Sequence, residues 1–303
     1  MDNKYVLITS ARNEAQHIEE LIHTIVNQTI LPVTWVLIDD NSNDKTGVLI
    51  KNGAEIYPFI APLNINNGMS GDFSSKVFAI MKGFEIIKDI EFNYLGILDA
   101  DISLPSNYYE IIISKMKKQH NLGICGGVLY DCFEGKKFKR ATKPWSVPGG
   151  IQFFKKECFF EIGGLIPLPL GSEDSVAEIT ARMKGWYVSS FNDVKGLHNR
   201  RTSEMHGSYL RASYIDGFRD YSYGCHPIFE CVKCLSRLFY KPIILSAVLR
   251  FIGYLCAALR KTERPVSLEF IKYLRNEQME RLFPQQLLNL LAQLNKIISA
   301  PND

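Results

Sequence analysis

Short apolar runs alternate with amphipathic stretches over the first hundred residues. Residues 5–9 are apolar and β-branched, and Ile18, Leu21, Ile22, Ile25 and Val26 then recur at helical spacing. Pro32 closes the connection, 35–38 predicts a second buried strand, and a polar cluster from Asp39 to Asp44 ends it as a turn. A third, weaker strand is expected over 54–59, a helix over 75–87 and a strand over 94–98. Strands alternating with helices predict an α/β chain built on a mostly parallel, mixed central sheet flanked by helices. Ligands of such sheets bind beyond the carboxyl ends of the strands. Asp39 and the triplet Asp99-Ala100-Asp101 therefore fall on one rim.

From Gly123 to Phe154 the pattern turns to strand and loop, with a basic stretch, GKKFKRATK, inside it. GSEDSVAEITARMKGW opens a helix: Ser172 is the expected N-cap, and Val176, Ile179, Thr180 and Met183 line one face. WYVSSF is a short strand, and GLHNRRTS a polar, basic loop. The most apolar stretch, KPIILSAVLRFIGYLCAAL, is interrupted by Arg250, which would cost about 2.5–3.5 kcal/mol at mid-bilayer and argues against a span. Between Lys233 and Arg281 ten Lys/Arg face four Glu. Basic residues beside apolar helical faces fit a helix lying on an anionic membrane surface, or a helical subdomain packed on the core.

Length and composition narrow the classes. The chain has 303 residues, enough for one large core or two modest ones. The change in character divides the chain into a first domain at 1–222 and a helical region at 223–303, the part that would associate with a membrane. A net charge of +3 gives no electrostatic footprint for nucleic acid. Seven cysteines, an odd count, read as free thiols of a reducing compartment. No basic start with an apolar segment and cleavage site precedes the first strand, so the expected location is the cytoplasm, peripheral at the inner face of the membrane if the helices dock there.

Two acids at Asp-x-Asp spacing share one side of an extended backbone. Carboxylates are the preferred ligands of Mg²⁺ and Mn²⁺, which take one or two of them plus substrate phosphates. Asp99 and Asp101 thus point to a divalent cation with a diphosphate on its far side. Asp39 on a neighbouring strand end, Glu173-Asp174 opening a helix and His198 beyond it give that reading company. The bland alternatives are turn acids at Asp39, a dipole-complementing pair at Glu173-Asp174 and a solvated loop histidine at His198.

The ordered set SARNEAQHIEELIHTIVNQT, PVTWVLIDDNSNDKT, the FSSK lysine, LDADIS, GGIQFFKKECFFEIGG and GSEDSVAEITARMKGW resembles the family 2 glycosyltransferases. These are inverting enzymes of the GT-A fold that use nucleotide sugars, and the resemblance is close for the exopolysaccharide-synthesis branch. It continues through HNRRTS, GCHPIFECVKCLSRL and LRNEQMERL, over roughly residues 5–282. It implies that Asp39 meets the base, Asp99 and Ala100 lie by the ribose, and Asp101 and His198 hold Mn²⁺ or Mg²⁺. Ala11, Arg12, Asn13 and Glu14 would border the base, and Lys76 would reach the diphosphate. Asp174 resembles the general base, with Glu173 beside it to position the acceptor. Asn199 stands where this branch has a second His. The implied donor is a UDP-sugar and the implied acceptor a saccharide or lipid-linked saccharide.

Two rivals come from other classes. A nucleotidyltransferase would carry a Gly-rich, Arg-containing loop after the first strand, where this chain has ITSARNEAQ. A non-catalytic sugar-nucleotide-binding or scaffold protein would have no reason to keep Asp101, Asp174 and His198 together. A NAD-dependent enzyme lacks its G-x-G-x-x-G fingerprint, and Cys225, His226, Cys231 and Cys234 lack the two-knuckle spacing of a zinc site.

Overall fold

The computed structural model describes residues 3–66, 73–133, 136–199, 209–238 and 244–284. The chain forms two compact units, 1–205 and 206–303. α7 (Tyr209–Ser222) therefore belongs with the later helices, although the change in sequence character falls only after it.

In the first unit β1 (Tyr5–Ala11), β2 (Thr34–Asp40), β3 (Ile60–Ile65) and β4 (Tyr94–Ile97) pair in parallel in the order β3-β2-β1-β4. β8 (Phe153–Lys155), which runs straight into α5 (Lys156–Glu161), adds antiparallel to β4. β6 (Leu122–Phe133), β9 (Tyr187–His198) and β5 (Ile102–Ser103) extend the sheet, and β7 (Lys136–Lys139) hangs on β6. The sheet is mixed, parallel in its first half and, in its second, antiparallel except for the long parallel pairing of β6 with β9.

β1 is apolar over Tyr5–Ile8 and β2 over Trp35–Ile38 because both faces are covered there. Ile8, Val36 and Ile38 face α3 (Phe73–Ile87), where Gly83 has no room for a Cβ between them. On the other face Tyr5 stacks on Tyr109 of α4 (Tyr108–Lys118) at 4.7 Å and meets Phe153 edge-on at 5.8 Å. Each such ring pair adds about 0.5–1.5 kcal/mol beyond its buried area. α1 (Ala15–Val26) packs on α2 (Thr46–Ile56) through Ile22 against Gly53.

Three local expectations are corrected. Residues 54–56 close α2 and 57–59 form a turn instead of a strand, and the third strand is Ile60–Ile65. His198 ends β9 instead of sitting in a loop. Ser172 precedes α6 (Glu173–Met183), but in a left-handed conformation (φ 79°) with no side-chain cap bond, so it sets the chain direction without capping.

In the second unit α7 crosses α9 (Leu245–Leu259) at close range. Gly217 lies against the Arg250 carbonyl and Gly253 against the Tyr214 carbonyl, where any side chain would clash. Arg250 is buried and ion-paired with Asp216 (2.9 Å), Glu230 of α8 (Pro227–Leu235; 2.9 Å) and Asp220, which also takes Lys233 (2.6 Å). α10 (Leu268–Leu282) is the last element of the unit among the described residues, its N-cap Ser267 accepting from the Phe270 amide. Burial opposes the Asp220 charge, but Lys233 and Arg250 overcome it and hold the carboxyl below its ordinary range. A depressed carboxylate stabilises the fold above its unfolded pKa of about 3.9, and that contribution is lost as pH falls. Arg250→Ala should therefore destabilise the protein by about 3–5 kcal/mol at pH 7 in chemical denaturation, with the deficit shrinking in acid. A loss below about 1 kcal/mol would show that water already satisfies these carboxylates.

Candidate active site

The strand ends create a frame before any ligand is considered. The loop Ala11–Glu14 leaves β1 with Asn13 in the left-handed region (φ 55°) and is sewn to the turn after β2. The Asn13 amide donates to Ser42 Oγ (3.0 Å), the Asn43 amide to Asn13 Oδ1 (2.8 Å) and the Glu14 amide to Thr46 Oγ1 (2.8 Å). Asp44 fastens the far side, accepting from the Ala15 amide (3.1 Å) and from the amide and hydroxyl of Thr46, bonds that lower its pKa, Thr46's hydroxyl foremost. Asp39 is buried in this frame, accepting from the Ser42 amide (3.0 Å) and from Asn64 Nδ2 (3.1 Å). A Cβ on Gly47 would fall 2.3 Å from Asp39 Oδ2, so glycine is required there for the helix to close over the acid. Asp40 points the other way and accepts from Ser75 Oγ (2.8 Å).

A second group gathers around the glycine pair Gly149-Gly150, which forms a single 3-10 turn with Ile151. A Cβ on Gly149 would lie 2.7 Å from Asp174 Oδ2, and one on Gly150 2.7 Å from Asp99 Oδ2. The two carboxylates thus flank adjacent residues. Lys76 Nζ donates to Asp99 Oδ1 at 2.6 Å. Burial alone would lower the lysine's pKa, yet Asp99, Glu173 and Asp174 together raise it. Glu173 is pushed up by burial and by Asp174, with Lys76 opposing. One turn along α6, Glu178 accepts from the Val147 amide (2.6 Å) and Gln152 Nε2 (3.2 Å), and burial raises its pKa to about 7.

The third group is built by strand register. Asp99, Ala100 and Asp101 lie in the turn between β4 and β5, not on one extended strand, so the two acids part company. Asp101 is buried, with Oδ2 3.4 Å from His198 Nε2, and its carbonyl accepts from the Asn199 amide (2.8 Å). β9 places His198 opposite Ile102 on one side and Asp131 of β6 on the other. His198 Nδ1 lies 3.1 Å from Asp131 Oδ1, which Arg140 Nη2 grips at 2.7 Å. Burial would lower the His198 pKa, but the Asp101 and Asp131 carboxylates outweigh it and raise it, with Arg140 opposing.

The sequence-predicted residues therefore fall into three groups on one unit: Ala11–Glu14 with Asp39; Lys76, Asp99, Glu173 and Asp174; and Asp101 with His198. Arg200 and Arg201 of the HNRRTS run, which the sequence leaves between phosphate contact and mere solubility, and most of the NNGMSGDF loop before Lys76 lie outside the described residues. Sequence reading missed Asp131, Arg140, Glu178 and the role of Gly149-Gly150. A lone acid in the apolar strand LGICGGVLYDCF, and a second acid four residues after Asp174, were the available signals.

A mixed sheet with acids at the ends of its parallel strands, a sewn β1 loop and a helix-borne acid pair define a GT-A architecture. The model of glycosyl transferase family 2 matches residues 6–168, more than half of the chain, and the chain belongs to that family. No curated protein matches it. Among solved structures, the mannosyltransferase PcManGT from Pyrobaculum calidifontis, in complex with GDP-Man and Mn2+, is similar with a TM-score of 0.56 at 18% identity, over 93% of this chain and 81% of that one. S. aureus TarS 1-349 in complex with UDP-GlcNAc gives 0.53 at 12% identity, over 91% and 81%. GalNAc-T7 with UDP, GalNAc and Mn2+ gives 0.57 at 14% identity, over 92% of this chain and 57% of that one. At these identities the likeness shows the shared fold.

Proposed function

We propose that the protein is a metal-dependent, inverting glycosyltransferase that moves a sugar from a nucleoside-diphospho-sugar, a UDP-sugar first among candidates, to an acceptor hydroxyl in cell-surface polysaccharide synthesis. The observation that carries this reading is the pairing of buried Asp101 and His198, apart from a second carboxylate, Asp174, at the start of α6.

The donor set fits a divalent cation. Asp101 Oδ2 and His198 Nε2 offer one oxygen and one nitrogen side by side, a mixture that suits Mn²⁺ better than Mg²⁺. Among the described residues no three His, Cys, Asp or Glu side chains converge as a closed metal site. Two protein ligands with the rest left to phosphate oxygens is the arrangement such ions favour beside nucleotides. When bound, the cation supplies Lewis-acid stabilisation to the departing diphosphate. GDP-Man with Mn2+ in PcManGT, and UDP with Mn2+ in GalNAc-T7, support this choice of partners.

The chain's own groups do the remaining work. The Ala11–Glu14 loop and Asp39 receive the base. Asp99, steadied by Lys76, lies by the ribose with Ala100, and the Lys76 ammonium faces the diphosphate. Asp174 takes the acceptor proton, and Glu173 helps to orient the acceptor. One base on the acceptor side and one leaving-group site give a single displacement, hence inversion.

Asp131 orients the imidazole when His198 Nδ1 carries a proton directed at it, which leaves the Nε2 lone pair for a ligand; Arg140 Nη2, also 3.1 Å from Nδ1, then donates to Asp131 instead. Asp131→Asn should weaken Mn²⁺ affinity about 10–100-fold by calorimetry, with the fold intact. Unchanged affinity would remove His198 from the metal site. The function itself is tested by incubating the protein with a panel of UDP-, GDP- and dTDP-sugars and measuring release of nucleoside diphosphate with Mn²⁺ and with EDTA. Cation-dependent release from one donor class supports it, and release from none rejects it.

The second unit supplies the membrane part of the proposal. Among the described residues no helix is long and apolar enough to cross a membrane. α9 nevertheless exposes Leu245, Val248, Ile252, Leu255 and Leu259 along one stripe, followed by exposed Arg260 and Lys261. Arg264 is engaged inside the unit, over the Tyr221 ring, and is not part of this surface. An apolar stripe ending in cations suits an anionic lipid surface, each cation adding about 1 kcal/mol. The protein should sediment with anionic vesicles at low salt, and Val248→Glu with Leu255→Glu should release it. A protein that stays in the supernatant excludes lipid docking.

A further inference from the structure

Trp145 differs from the other tryptophans. Trp35 is fully buried, and Trp186 is half-buried with its Nε1 donating to Glu161 (2.8 Å). Trp145 is 43% exposed, yet the backbone around it is hydrogen-bonded on two sides. The Pro144 carbonyl accepts from the Ser190 amide (2.9 Å), and the Ser146 carbonyl from the Ser190 hydroxyl. On the other side the Trp145 carbonyl accepts from Arg182 Nη1 (3.1 Å), and the Val147 amide donates to Glu178 (2.6 Å). Four consecutive residues are thus fixed between β9 and α6.

The anchors also give a direction. Asp174, Glu178 and Arg182 follow each other at four-residue spacing, so they share one face of α6. Gly149 meets the first, Val147 the second and Trp145 the third, so this segment runs back along the helix towards its N-terminus. At 1.5 Å per residue, Arg182 stands about 12 Å along the axis from Asp174. That span is of the order of a disaccharide. It leads away from the end where Lys76, Asp99 and Glu173 gather, and so away from the donor side.

On a fixed backbone a Trp side chain has only two torsions left to order on binding, which suits it to stack on the apolar face of a pyranose. Lys143 Nζ stands over the ring, 6.0 Å from its centroid, and places a cation beside any sugar that stacks there. We infer that Trp145 forms an acceptor subsite that stacks a sugar ring about two units from the reacting hydroxyl, so that the acceptor is an oligosaccharide chain and not a lone monosaccharide. This inference rests on the proposed role of Asp174, and it adds a substrate class and a specificity-determining residue to it.

The test uses the full chain, its Trp145→Ala and Trp145→Phe variants, and mono-, di-, tri- and tetrasaccharides of the gluco, galacto, manno and N-acetylglucosamine series as probes. Binding is read by calorimetry, and nucleotide release without acceptor is read in parallel. Wild type should bind trisaccharides of at least one series more tightly than the monosaccharide. Trp145→Ala should lose that gain by roughly three- to ten-fold while releasing nucleotide at the wild-type rate, and Trp145→Phe should keep most of it. A wild type with no gain from chain length in any series, or an alanine variant that keeps the gain, overturns the inference. Absence of nucleotide release from wild type would instead strike the proposed function, so the two failures are distinguishable.

Discussion

Asp101→Asn is expected to reduce donor turnover by at least about 10³-fold while leaving the fold intact, because it removes one of the two protein ligands proposed for the cation and keeps the side-chain shape. Charge stabilisation of the leaving group by a bound cation is worth several kcal/mol, and each 1.36 kcal/mol is a factor of ten in rate. The variant should also lose the gain in nucleotide affinity that Mn²⁺ gives wild type. In the cation-free protein its carboxylate helps to hold the His198 pKa up. The substitution therefore disturbs the whole Asp101–His198–Asp131–Arg140 line, and His198→Ala should reproduce the metal defect. Turnover near the wild-type level in either variant would exclude the pair as the cation site.

Asp174→Asn should separate chemistry from binding. General-base help is worth about 10²–10⁴-fold, and that loss is expected in transfer to an acceptor. Binding of nucleotide and of Mn²⁺ should stay within a few-fold, since Asp174 belongs to the group around Gly149 and not to the Asp101–His198 pair. Glu173→Gln is the comparison: it should cost less in rate and more in acceptor KM. If Asp174→Asn retains transfer and Glu173→Gln loses it, the proton goes to Glu173. Equal losses of donor affinity and rate in Asp174→Asn would make it a binding residue.

How far the sequence could be read depended on whether local chemistry or long-range register set each feature. β1, β2 and β4 are buried on both faces and show as apolar runs, so the acids at their ends fell on a rim as expected. β3 did not, because it is an edge strand with Pro62 inside it and a half-exposed alternation, and the helix before it carries Gly53. His198 read as a loop residue because the polar NRRTS run follows it directly, although β9 continues to that position. Asp131 and Arg140 were beyond reach for a firmer reason. Asp131 stands opposite His198 only because the β6–β9 pairing shifts register between Gly127 and Val128, and a slip of one residue would turn its side chain to the other face. In the same way Asp99 and Asp101 look like a matched pair in sequence, but the turn between β4 and β5 sends one to Lys76 and the other to His198.

The most direct test of the account is calorimetric titration of UDP and of GDP into the full chain, in Mn²⁺ and again in excess EDTA. One of the two nucleotides should bind in Mn²⁺, and that binding should fall at least about ten-fold in EDTA. Binding of equal strength in both conditions, or of neither nucleotide in either, would contradict a cation held by Asp101 and His198 against a nucleoside diphosphate.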